Sequence, residues 1–73
     1  MILYKELLKD IGRNIRTERT RQDLSQEKFA EVAGVHTNYI GKIERGEQNL
    51  TIKKLVDILN SLNLSIDVLI KNQ

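Results

Sequence analysis

The chain has 73 residues, no Cys, no Pro and a formal net charge of +2. That length holds one modest core, so residues 1–73 are expected to form a single domain, of a size that commonly gains stability by oligomerising. The lack of Cys excludes disulfides and thiolate metal sites, and Tyr4, Phe29 and Tyr39 are too few aromatics for a single-strand stacking platform. No long apolar run marks a membrane span and no secretion signal is visible, so cytoplasm is the expected compartment. The cations Arg13, Arg16, Arg19, Arg21, Lys28, Lys42, Arg45, Lys53 and Lys54 are interspersed with acids, which predicts a basic face rather than a basic tail.

In chain order, the first predicted helix covers roughly residues 3–22, with Tyr4, Leu8, Ile11 and Ile15 at helical spacing. Gly12 interrupts that pattern without ending it. The next four helix starts share one device: an apolar residue, then a capping residue, then an apolar residue four positions after the cap. It reads Leu24-Ser25 with Phe29, Val35-His36 with Ile40, Leu50-Thr51 with Leu55, and Leu64-Ser65 with Leu69. The cap takes an orphan backbone N–H and the apolar pair sets the entry angle. Gly34 and Gly46 stand where a left-handed residue ends a helix. These signals predict helices near 25–33, 36–45, 51–62 and 65–71, five in all with the first.

Residues 25–45 have the pattern of a helix-turn-helix. Phe29, Ala33, Val35, Ile40 and Ile43 supply an apolar seam, Ala30 is small where two helices cross, and Gly34 supplies positive φ in the turn. Such a unit holds one helix rigidly with its outer face projecting, and an α-helix fits the major groove, where each base pair shows a distinct donor and acceptor pattern.

The string Leu24-Ser25-Gln26-Glu27, Ala33-Gly34-Val35, Ile43-Glu44-Arg45-Gly46, Leu55 and Leu62 resembles the phage repressor and Cro (Xre-type) helix-turn-helix family, from about Ile11 to Leu69. Asn38-Tyr39-Ile40 and Asn49-Leu50-Thr51-Ile52-Lys53 look most like the controller proteins of restriction–modification systems. The resemblance implies an all-α, compact five-helix, lambda-repressor-like fold. It implies that Thr37, Asn38 and Lys42 read base edges. Gln26, Tyr39, Arg45, Asn49, Thr51 and Lys53 are implied to touch the DNA backbone, and Arg19 and Glu44 to form an internal salt bridge.

Two positions depart from the family pattern. His36 replaces the usual Ser or Thr cap, so His36 and Thr37 compete for that role, and Gly41 replaces a larger residue on the recognition face. The lone His36 offers no metal site, and no catalytic dyad or triad can be assembled, so neither cofactor nor enzyme activity is expected.

The apolar segment at about 62–71 exceeds what one short helix buries, which predicts a dimer patch at Leu64, Val68 and Ile70, with core packing by Ile66 and Leu69 as the plainer alternative. Met1-Ile2-Leu3-Tyr4 is a second candidate for the interface. The expectation is a sequence-specific double-stranded DNA-binding transcriptional regulator, acting as a homodimer on a pseudo-palindromic operator. An antitoxin that also binds a toxin stays open, as does RNA polymerase as a protein partner.

Overall fold

The computed structural model describes residues 3–65, and these residues form four helices. They are α1 (Tyr4–Arg21), α2 (Gln26–Ala33), α3 (Thr37–Glu44) and α4 (Ile52–Ser61). The all-helical expectation holds over this span, but with four helices rather than five. The fifth expected helix, at 65–71, lies outside the described residues apart from its first position.

Each of the last three helices starts on the side chain that the staple pattern marks. Ser25 Oγ accepts from the Lys28 N–H and Thr51 Oγ1 from the Lys54 N–H. His36 settles its own case by accepting from the Asn38 N–H at Nδ1, 3.1 Å away. Nδ1 sits two bonds beyond Cβ, where Asn and Asp carry their capping oxygen, so an imidazole reaches the same donor. Thr37 is therefore the first helical residue and not the cap.

All four helices end by one reversal. In each, a left-handed residue donates to the carbonyl three positions back, and the next residue donates to the carbonyl five back. The left-handed residues are Asp23, Gly34, Gly46 and Asn63, with φ of 58°, 72°, 74° and 58°. Gly34 and Gly46 were legible as stops, whereas Asp23 and Asn63 do the same work without being glycine. Both belong to the short polar residue types that tolerate this conformation best.

The core gathers Ile15 from α1, Phe29 and Ala30 from α2, Ile40 and Ile43 from α3, and Leu55, Ile58, Leu59 and Leu62 from α4 and its end. Each large member contributes roughly 1.5–3 kcal/mol by leaving water. Val35, Leu50 and Leu64 pack half-buried around it. Leu3, Tyr4 and Leu7 stay exposed at the start of α1. No helix among the described residues is long and apolar enough to cross a membrane.

Gly12, which the helical pattern marked only as an interruption, turns out to be the crossing point of α1 and α3. A Cβ there would lie 2.7 Å from the Glu44 carbonyl oxygen and closer still to that of Ile43. Both are backbone atoms and cannot swing away, so only the missing side chain lets the helices approach. Gly12→Ala is accordingly expected to destabilise the chain by about 3 kcal/mol, the upper end of the range of core overpacking. Gly34→Asn, where a Cβ meets nothing within 4 Å, should cost well under half of that; urea melts of the two variants against the unmodified chain check the contrast.

Candidate nucleic-acid interface

The junction of α1, α2 and α3 is held by one carboxylate. Glu44, the last residue of α3, accepts Arg19 Nε at 2.6 Å on Oε2 and Arg19 Nη2 at 3.1 Å on Oε1. Arg19 Nη1 donates to the Leu24 carbonyl at 2.7 Å, in the turn between α1 and α2. Gln26, the first residue of α2, donates from Nε2 to Glu44 Oε1 at 2.9 Å. The pair is almost dry, with side-chain exposure of 12% for Arg19 and 3% for Glu44. No buried side-chain polar atom among the described residues lacks a partner. The bond from Gln26 had no sequence signal, because its partner lies 18 residues away. It fixes the amide at the mouth of the interface while leaving the second amide hydrogen for an external acceptor.

The outer face of α3 carries the expected reading residues. Asn38 and Lys42, four apart, are exposed on one face, and Thr37 is partly exposed. Lys42 makes no ion pair among the described residues. Tyr39 is half-buried against the core, with Lys54 Nζ of α4 5.6 Å from its ring centroid. Burial pushes its phenol above the usual value, so it stays neutral and keeps its hydroxyl hydrogen.

The other expected backbone contacts, besides Gln26 and Tyr39, lie beyond the C-terminal end of α3. Arg45 is exposed and its Nε pairs with Glu47 at 3.2 Å. Asn49 and Thr51 are exposed, and the Thr51 oxygen already serves as the α4 cap. Lys53 is exposed and pairs with Asp57 at 3.0 Å. Leu64 packs half-buried on the chain's own core, whereas Val68 and Ile70 lie outside the described residues.

Of the cations expected on a basic face, Arg13 and Arg16 lie on α1, where Lys9, outside the expected set, joins them. Lys9, Arg13 and Arg16 fall at positions i, i+4 and i+7 of α1 and line a shallow groove with Glu44, Arg45 and Glu47. Arg13 pairs with Asp10, while Lys9 and Arg16 make no ion pair among the described residues. The spacing was readable; that this row lies beside Arg45 depends on the close crossing at Gly12 and on Gly46, where a Cβ would stand 2.8 Å from Lys9 Cα.

Comparison with known proteins places this arrangement. Residues 15–69 match the family described as Helix-turn-helix. The chain belongs to this family of helix-turn-helix transcriptional regulators. It is 36% identical over 72 residues to the control protein C.SmaI of Serratia marcescens, covering 99% of this chain and 86% of that protein. Its fold is similar to the restriction-modification controller protein C.AhdI of Aeromonas hydrophila, with TM-score 0.79, 31% identity and coverage of 85% of this chain and 94% of that one. It is also similar to the controller protein C.Esp1396I, solved as a tetramer in complex with its natural 35 base-pair operator. There the TM-score is 0.81 at 33% identity, covering 90% of this chain and 87% of that one.

The buried pair yields a prediction of its own. Glu44→Ala leaves Arg19 charged, buried and short of its partner, and should cost about 3–5 kcal/mol. Replacing both, Arg19→Met with Glu44→Leu, should recover most of that loss in a chemical-denaturation series, because neither charge then stays in the interior.

Proposed function

We propose that the chain is a sequence-specific regulator of the restriction–modification controller type, binding double-stranded DNA as a homodimer. The observation that carries this reading is the outward stripe of α3, where Asn38 and Lys42 are exposed and Thr37 borders them on a helix braced by the Arg19–Glu44–Gln26 junction. A short, rigid helix with an unoccupied polar face is what major-groove readout needs. Similarity to a control protein over nearly the whole chain favours the controller reading over an antitoxin.

In this reading Thr37, Asn38 and Lys42 discriminate bases. Gln26, Tyr39, Arg45, Asn49, Thr51 and Lys53 position the duplex through its phosphates, joined by Lys9 and Arg16 at the flank. Two copies related by a two-fold axis would set their α3 helices in successive major grooves, about 34–36 Å apart. The segment at about 62–71, with Leu64, Val68 and Ile70, supplies the dimer patch in this reading, and the exposed Leu3 and Tyr4 belong to the second candidate surface. The regulator works in the cytoplasm without catalysis or cofactor, blocking or recruiting RNA polymerase at the promoter it occupies.

Asn38→Ala and Lys42→Ala should each cost about 1–3 kcal/mol on the preferred site and relax sequence preference at one position. Selection of sites from a random duplex library reads both effects. An unchanged consensus in both variants would remove these residues from base readout. The unmodified chain should lose affinity steeply with salt, by about 10³–10⁵ between roughly 50 and 200 mM if the dimer meets six to ten phosphates; a flat salt dependence in fluorescence anisotropy would contradict phosphate binding altogether.

A further inference from the structure

Gly41 stands in the middle of α3 and is buried. Glycine is a poor residue for a helix interior, and neither of its usual reasons applies. Its φ is not positive, so the backbone does not demand it. No close helix crossing demands it either. A Cβ at this position would have Arg45 Nη1 at 3.1 Å, and Arg45 Cζ and Gln26 Oε1 each at 3.9 Å, as its three nearest neighbours. These are the far ends of two polar side chains, and both belong to the proposed phosphate-facing set.

We propose that Gly41 is a positioning residue for DNA binding: its missing side chain is the seat that lays the Arg45 guanidinium back across α3 toward the Gln26 side-chain carbonyl oxygen, so that the guanidinium is held ready to donate to a DNA phosphate. The inference rests on the DNA-binding reading above and names a part of that site. Arg45 follows Gly41 by four residues and so shares its face. Its Nε lies 3.2 Å from a Glu47 carboxylate oxygen as an exposed ion pair, which leaves the terminal guanidinium nitrogens as donors. Gln26 is held from the other side through Glu44. An arginine left loose on the surface would lose much rotamer freedom on meeting a phosphate, whereas one seated beforehand loses less. A methyl at position 41 would sit too close to Arg45 Nη1, and the guanidinium, being mobile, would be the group to leave.

The helix and the interface therefore make opposite demands at this position, and the test uses that opposition. The full chain, Gly41→Ala, Arg45→Ala and the double variant are compared on two duplexes. One is a site selected from a random library by the unmodified chain, and the other is a random-sequence duplex of equal length. Gly41→Ala should melt no lower than the unmodified chain, since alanine is the better helix former. It should nevertheless bind both duplexes about tenfold more weakly, as expected for a lost charge-assisted contact. The log–log salt slope should shrink by about 0.9 for each protomer. Arg45→Ala should show the same losses, and the double variant should lose no more than Arg45→Ala alone, because Gly41 acts through Arg45.

Unchanged affinity and slope in Gly41→Ala would overturn the proposal. So would losses that multiply in the double variant, or a lower melting temperature, which would mark a packing role. If the unmodified chain itself shows no salt-dependent affinity for either duplex, the DNA-binding reading fails and this inference falls with it.

Discussion

The recognition surface depends on one buried carboxylate. Glu44 closes α3, and a negative charge at a helix C-terminus is unfavourable against the helix dipole. Arg19 offsets it with two hydrogen bonds from α1, and Gln26 adds a third from α2. Removing two charges from water contributes little net stability even when they are well paired. What the arrangement provides is geometry. An eight-residue helix such as α3 does not persist alone in water, so its direction has to come from what it touches. Ile40 and Ile43 press it onto the core, the His36 imidazole holds its start, and Glu44 pins its end to two other helices.

This division of labour separates the packed part of α3 from the part proposed to meet DNA. The inward residues, with the crossing at Gly12, decide where the helix lies. Thr37, Asn38 and Lys42 decide nothing about the fold, since none of them belongs to the core. Tyr39 falls between the two sets. It borders the recognition face yet packs on the core and against the Lys54 ammonium, which couples α3 to α4. Specificity in such a scaffold can change by substitution on one stripe while the brace behind it is left alone.

Electrostatics extend the same logic along the flank. The turn after α3 carries Arg45, and the close approach of α1 sets Lys9, Arg13 and Arg16 beside it. Phosphate contacts orient a duplex without reading it, so in the proposed complex a cationic margin around a sparsely armed recognition helix would add affinity that the base contacts do not have to supply.

The sequence by itself determined the four described helices, two of their caps, the helix-turn-helix and part of the core. These rest on interactions between residues three to five positions apart, where spacing and side-chain chemistry are enough: Ser25 with Lys28, Thr51 with Lys54, the apolar seam from Phe29 to Ile43. It left the cap of α3 open between His36 and Thr37, because both side chains can reach an N–H and only the observed backbone chooses. The close crossing at Gly12, the bond from Gln26 to Glu44, the cationic row of α1 beside Arg45, and the Arg45 guanidinium over Gly41 came from the tertiary structure alone. Most of these join residues far apart in the chain, and even the local Gly41–Arg45 contact depends on which way a long side chain folds back. No periodicity encodes how closely two helices pass or where such a side chain comes to rest; packing decides that once the helices have met.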